Sequence, residues 1–406
     1  MDFPKLALIL LLAAPRLPGA AVEILPEYLR PDPFGSVAGP DRKSSRTTVE
    51  LCGARGGWVS FQLVVKLPEG GPYRLDVKLD RQGGKIETEL FREWFHLTAR
   101  GKHHYPDALI PVSLPVESRL PDPGNRIDQQ TAQAYWVDVW IARDAPHGVV
   151  SGEAVLRVAD RDERLPIRLE VLSATIPEED VPTIDHNSYG SSWIAGYYKE
   201  PAETESGFFA SDRYFELIHA HHRIFYEHRG VFHQLGYGHG GKVGPEFAPA
   251  LTGSGRSRRI ADWALYDRHY GPLLDGSAMA GTRRGRKPIP FVYLPINPEW
   301  PASFLWWGEP GYEAEFVNVV SEMERHFREK GWTQTYFELF FNHKKRYKAF
   351  PWDGDEARFP EDDRYFVEYH RLFRKAVPAD TPVRFLFRND ASWAMERQFR
   401  SLAGVT

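Results

Sequence analysis

Leu165-Pro166-Ile167-Arg168-Leu169-Glu170-Val171-Leu172-Ser173-Ala174-Thr175-Ile176-Pro177-Glu178-Glu179-Asp180-Val181-Pro182 is where this sequence changes its grammar. Leu165, Ile167, Leu169 and Val171 fall on one side of an extended chain and Arg168 and Glu170 on the other, the period-two pattern of a strand that buries one face. The alternation stops at Ile176, and three acids between two prolines read as a surface linker over residues 177–182.

Upstream, the same alternation recurs. Residues 58–65 and 73–79 read as strands, and Tyr135, Val137, Val139 and Ile141 share one face of another. Short strands separated by Gly/Pro turns, with almost no helical period, predict an antiparallel β-sandwich over residues 22–176. Downstream, apolar strands alternate with helical stretches, the pattern of parallel βα units. Strands are expected at 183–187, 231–236, 289–295, 334–341 and 383–387, and helices at 214–228, 312–330 and 364–375, with Gly331 closing the second helix. Residues 238–259, rich in Gly, Ser and Arg, read as a long loop. A closed barrel of this type needs eight such units. Residues 183–406 are therefore expected to form an incomplete (β/α)8 TIM-like barrel, truncated at the C-terminus.

The first 21 residues have the layout of a signal peptide: Lys5, a short apolar run, then Gly19-Ala20-Ala21 as a cleavage region. The run is too short to span a bilayer. The expectation is a secreted or periplasmic protein with no membrane association after cleavage. Cys52 is the only cysteine, which excludes an intrachain disulfide and a cysteine-based metal site. A formal charge of −4 without a separate basic run gives no footprint for nucleic acid. Aromatics make up 14% of residues, with 12 Trp and 18 Tyr, and rings of this kind stack on the C–H faces of sugars, which makes carbohydrate the plausible partner.

In parallel βα architectures ligands bind at the carboxyl ends of the strands. The residues to weigh are Asp185, His186 and Asn187 after the first strand; Tyr237 and His239 after the second; Asn297, Glu299 and Trp300 after the third; Asn342, His343 and Lys344 after the fourth; and Arg388, Asn389 and Asp390 after the fifth. The loop beyond the fourth strand carries Trp352-Asp353-Gly354-Asp355-Glu356, a carboxylate pair beside an aromatic. Glycoside cleavage needs an acid for the departing oxygen and a group that stabilises charge at the anomeric carbon. Adjacent carboxylates supply both where the substrate's own 2-acetamido oxygen is the nucleophile. Glu361-Asp362-Asp363 nearby reads equally as a helix N-terminus. His219, His221, His222 and His228 crowd one helix without a matching carboxylate, so no metal is expected. No phosphate-cradling loop or Gly-x-Ser-x-Gly elbow is present, and no cofactor is implied.

Several stretches resemble glycoside hydrolase family 123 and its relatives: Phe61-Gln62-Leu63-Val64, Tyr105-Pro106-Asp107-Ala108-Leu109-Ile110-Pro111, Tyr135-Trp136-Val137-Asp138-Val139, Ala145-Pro146-His147-Gly148 with Gly152, and Leu169 through Pro177. The resemblance implies a β-N-acetylgalactosaminidase-like enzyme working by the substrate-assisted retaining route, with Asp355 orienting the acetamido group and Glu356 as acid/base. The family's pair sits close to a strand end and is usually followed by Pro, whereas here it lies well past the fourth strand and Ala357 follows. Asn342-His343-Lys344 therefore stands as an alternative occupant of that strand end. Two further readings stay open: a two-carboxylate glycosidase using Glu299 and Asp390 on sugars without an acetamide, and a non-catalytic glycan binder presenting Trp300, Trp306, Trp307 and Trp352.

Overall fold

The computed structural model describes residues 19–38, 48–98, 100–101, 103–179, 184–189, 194, 205–302, 309–347, 350–390 and 393–405. Residues 1–18 of the expected signal segment, 180–182 of the linker, and Trp306 and Trp307 lie outside the described residues. The chain divides into two compact units, Met1–Glu179 and Asp180–Thr406.

In the first unit two five-stranded sheets form. One has the order Ala21–Leu25, Gly57–Lys66, Ala132–Ile141, Ile86–Leu97, His104–Val112, and the other Val49–Arg55, Arg161–Thr175, Gly148–Val158, Gly71–Leu79, Val116–Leu120. Tyr135, Val137, Val139 and Ile141 from the first sheet and Leu165, Ile167, Leu169 and Val171 from the second enter one buried apolar cluster. Arg168 and Glu170 stay exposed. Burying each such apolar side chain contributes roughly 1.5–3 kcal/mol, so the alternation itself supplies the core.

The antiparallel expectation needs one correction. Val49–Arg55 runs parallel to Arg161–Thr175, while the other ladders of both sheets are antiparallel. Val49–Arg55 belongs to one sheet and the next strand, Gly57–Lys66, to the other. Gly56, at φ 78°, makes the step between them, where a Cβ would meet Arg143 at 2.9 Å. Period two reports which face a residue occupies and is blind to strand direction.

Among the described residues the second unit contains two parallel ladders, of two and three strands, whose strands follow one another in chain order. Ile184–Tyr189 pairs with Gly230–Leu235, and Phe291–Tyr293 pairs with Tyr336–Phe340, which pairs with Arg384–Arg388. The second strand packs beside the third without a continuous ladder. Helices Asp212–Glu227, Ala264–Leu274, Tyr312–Glu329 and Pro360–Ala376 fill the four intervals, and Met395–Ser401 follows the fifth strand. A closed eight-stranded barrel is not seen among the described residues.

Local chemistry explains these helices. Ser211 caps the first, accepting from Tyr214 N at 3.2 Å. Tyr312–Glu329 buries Phe316, Val319, Val320, Met323 and Phe327, and ends where Gly331, at φ 73°, lets Trp332 N reach back to Phe327 O at 2.9 Å. The Ala264–Leu274 helix was not expected, since Pro272 inside it and a mixed polar face hide its period. The expected loop 238–259 holds short helical turns and half of the hairpin Ala250–Thr252/Arg259–Asp262. Among the described residues no helix is long and apolar enough to cross a membrane.

Candidate active site

The ends of the second and fourth strands are stitched together. The Tyr237 hydroxyl donates to Phe340 O and accepts from Asn342 N at 3.0 Å, while Asn342 Nδ2 donates to Tyr237 O at 3.1 Å. Lys344 N then donates to His239 O at 3.1 Å. Both Tyr237 and Asn342 are buried, and burial pushes the phenol of Tyr237 well above its usual range. These bonds give Tyr237 and Asn342 a role in positioning the two loops.

This stitch presents an ionic cluster. Lys344 Nζ lies 3.0 Å from Asp355 Oδ2 and 2.6 Å from Glu356 Oε2, and His239 Nε2 lies 3.0 Å from the same Asp355 oxygen. The carboxylates reach the strand end although the sequence puts them well beyond it, because Gly354 N and Asp355 N both donate to His343 O, at 3.0 and 3.2 Å. Gly354 is required for this return: a Cβ there would meet Phe341 Cβ and O at 2.6 Å. Asp355 is buried, whereas the Glu356 side chain is 35% exposed and its backbone sits at φ 52°, a strained conformation outside glycine. The hydrogen bond from Lys344 holds the Glu356 carboxyl below the ordinary carboxylate range. Burial works to depress the Lys344 pKa, but its bonds to Glu356 and Asp355 outweigh this and raise it. Burial pushes the His343 imidazole down to about 3, which keeps it neutral.

The turn after the third strand joins the same region. Asn297 is fully buried, with Oδ1 accepting from Glu299 N at 2.8 Å and Nδ2 donating to Pro295 O at 3.0 Å. It pairs through its backbone with Trp300, which packs half-buried against the core. Gly241 is the contact point: a Cβ there would lie 3.3 Å from Glu299 Oε2, 3.5 Å from Asn297 Oδ1 and 2.8 Å from Phe350. Loops after the second, third and fourth strands therefore converge.

Other expected site residues lie elsewhere. His186 stacks on Phe225 and Phe232, with centroids 5.1 and 6.0 Å apart, and so faces the helix rather than the strand end. The side chains of Asp185 and Asn187 lie outside the described residues. Trp352 is 0% exposed and packs between Phe341, His343, Tyr365 and Phe366. It has no face left for a sugar, which corrects the expectation of stacking there. Asp390 is half-buried near the fifth strand end. Asp362 and Asp363 open the Pro360–Ala376 helix and bind Lys345 and Arg397 respectively, a structural role. His219 and His221 bond backbone carbonyls of His269 and Leu217, and His222 is buried against Phe232.

A polar network inside the parallel strands joins the expected Arg388 to two residues that the sequence reading missed, Glu338 and His233. Glu338, buried on the fourth strand, has His233 Nε2 at 2.7 Å and Arg388 Nη1 at 3.4 Å, and His233 stacks on Tyr293 at 3.7 Å. Arg388 lies over Tyr293 and Phe340. The available signal was a charged residue in the middle of the apolar run Tyr336–Phe341.

Carboxylates, a lysine and a histidine thus gather at strand ends of the second unit, which follows the sandwich unit in the chain. The chain shares this fold with a family 123 glycoside hydrolase from Clostridium perfringens, whose structure was described for glycolipid glycan hydrolysis. The TM-score is 0.57 at 14% identity, over 91% of this chain and 63% of that one. At that identity the likeness is one of fold, and this chain spans 63% of the neighbour's length. A Bacteroides fragilis structure with a provisional α-galactosidase assignment matches over 88% of this chain and 53% of its own, at 10% identity and a TM-score of 0.26. No protein-family model matches the sequence, and no curated protein does.

Proposed function

We propose that this protein acts on carbohydrate as a glycoside hydrolase, with its site at the converged loops and Asp355 and Glu356 as the working pair. The observation that carries this reading is the single lysine, Lys344, lying 3.0 Å from one carboxylate and 2.6 Å from the other beside His239. The substrate is an N-acetylhexosamine glycoside cleaved with retention. Asp355, held between His239 and Lys344, orients the acetamido N–H so that its carbonyl oxygen attacks the anomeric carbon. The glycosidic bond breaks and the leaving oxygen takes a proton from Glu356; a water then gives that proton back as it opens the cyclic intermediate.

The resting site has Glu356 in its base form, because Lys344 keeps its pKa low. Proton donation therefore requires substrate to draw Lys344 away, after which the exposed carboxyl recovers a higher pKa. The parallel units are part of a (β/α)8 design, a reading supported by their chain-order strands and intervening helices. Residues 1–21 direct the protein out of the cytoplasm. A second reading, a two-carboxylate glycosidase acting on sugars without an acetamide, is favoured by the placement of Glu299 beside Gly241 at the same junction.

Hydrolysis of chromogenic N-acetylhexosaminides tests the first reading. Glu356→Gln and Asp355→Asn should each lose about 100-fold or more in kcat. Equal activity of Glu356→Gln and the parent protein removes Glu356 from the chemistry, and activity on plain glycosides that depends on Glu299 selects the second reading.

A further inference from the structure

The loop that carries His239 and Gly241 to the site is closed at its base by the turn Pro245–Phe247. Gly244 N donates to Gly236 O at 3.0 Å, and Phe247 packs on Gly236, where a Cβ would meet Phe247 Cβ at 2.7 Å. Two histidines pin this turn to the helices behind it. His269 Nδ1, on Ala264–Leu274, lies 2.7 Å from Glu246 O, and His219 Nε2, on Asp212–Glu227, lies 2.7 Å from His269 O. A carbonyl only accepts, so both of these ring nitrogens carry protons, which leaves the neutral His269 ring with a bare Nε2. That nitrogen is buried and has no partner among the described residues, and the same holds for Nε2 of His222, three residues beyond His219.

We propose that the chain His219–His269–Glu246 is an acid-sensitive latch: while its imidazoles are neutral it holds the loop that bears His239, and when they take up protons the loop is released. The proposal needs only the loop's attachment and not the reaction assigned above. Protonation would strengthen the two bonds to carbonyls, but it would also bury an N–H at His269 Nε2 without an acceptor and set cations side by side. Burial wins this balance. It pushes His269 down to about 3, lowers His219 and holds His222 well below the ordinary histidine range. The titratable and charged neighbours give no relief. His221 and Arg223 lie on the helix of His219, and His233 approaches from the second strand. The Glu246 carboxyl folds back on Gly244, where a Cβ would meet Oε2 at 2.8 Å, and burial raises its pKa toward the neutral form. Tyr270 stacks on His269 at 4.1 Å and Tyr214 meets it edge-on at 5.8 Å. Asp267 and Arg268, next to His269 in the chain, turn away, the first to His326 and Lys330 and the second to Asp212. The latch is therefore intact above pH 6.5, and each histidine that the fold keeps neutral lowers the ratio of closed to open loop about tenfold per pH unit below that.

The test is amide hydrogen exchange of the full chain between pH 7.5 and pH 5, read by mass spectrometry and corrected for the intrinsic pH dependence of exchange. Protection of residues 236–247 should hold down to pH 6.5, then fall by pH 5 about 30-fold for one neutral histidine or about 1000-fold for two, and recover on return to pH 7.5. Helices Tyr312–Glu329 and Pro360–Ala376 should keep their protection over the same range. His269→Gln, whose amide can still donate to Glu246 O but takes no proton, should flatten the decline. His219→Gln, at a half-buried position, should shrink it. Protection of the loop that stays flat to pH 5 in the parent chain overturns the proposal. So does an equal fall across the whole second unit, which would be global acid unfolding, or a decline unchanged in either folded variant. Should His269→Gln fail to fold, the parent profile and His219→Gln decide, and none of these readings depends on whether the protein hydrolyses a sugar.

Discussion

Replacing Trp352 by alanine should unfold the loop that carries the carboxylates rather than simply weaken sugar binding. The indole is fully buried, stacked on Tyr365 at 5.0 Å and 7°, and bounded by Phe341 at 5.3 Å, His343 at 4.4 Å and Phe366 at 5.1 Å. Deleting a fully packed Trp costs about 3–5 kcal/mol, the transfer energy plus the cavity left in a ring cluster that cannot easily close. In a domain of this size each kcal/mol moves Tm by roughly 2–4 °C, so the transition of the second unit should fall by about 6–20 °C. The sandwich transition should not move. Because Trp352 stands two residues before Gly354, whose N–H is tied to His343 O, kcat should fall with stability well below the new Tm. Trp352→Phe, which keeps most of the ring contacts, should recover over half of the loss. Calorimetry with parallel kinetics decides the matter: an unchanged Tm together with a raised KM would show that the ring meets ligand and that the packing argument is wrong.

Two further outcomes follow from charge. Lys344→Met removes the partner that holds Glu356 low, so the Glu356 pKa rises and the limb of the pH–rate profile that it governs moves to higher pH; a limb that stays put means another group titrates there. In the sandwich, burial raises Glu93 to about 7 from an ordinary 4.5. A carboxyl whose folded pKa is raised binds more protons folded than unfolded between those values, so stability declines as pH climbs from 4.5 to 7, by about 3 kcal/mol in all. Urea unfolding at pH 5 and pH 8 should show this decline in the parent unit and little of it in Glu93→Gln.

How much of this was legible in the sequence depends on which physical property each feature expresses. Leu165, Ile167, Leu169 and Val171 announced their common face because side-chain alternation is a local property. The parallel pairing of Val49–Arg55 was hidden, since direction depends on how the chain crosses between sheets at Gly56. The helix Tyr312–Glu329 was readable from one apolar stripe and Gly331, while Ala264–Leu274 carries Pro272 and buries His269 among tyrosines, a mixture that no simple period reveals. Trp352, fully buried, and Trp393, 61% exposed, are the sharpest contrast. A tryptophan near carboxylates reads identically in either place, and only coordinates distinguish the ring that fills the core from the one left open.

The position of Asp355 and Glu356 raises the question of why the fold brings two carboxylates together at all. Packed side by side they would repel, and the buried Asp355 would carry a heavy desolvation cost if unpaired. Lys344 offsets both, and Lys344 and the neighbouring His239 reach the pair through backbone links that originate in the Tyr237–Asn342 stitch between the second and fourth strands. The stitch therefore fixes the charge balance of the site as well as its geometry. Asp355 has Lys344 and His239 each 3.0 Å away and little exposure, so its position is set by the protein. Glu356 shares one lysine, is partly open to solvent and occupies a strained φ, so it is the member of the pair that can exchange its partner when a ligand arrives. This asymmetry of packing is what the proposed division between a fixed orienting carboxylate and an exchangeable proton carrier requires.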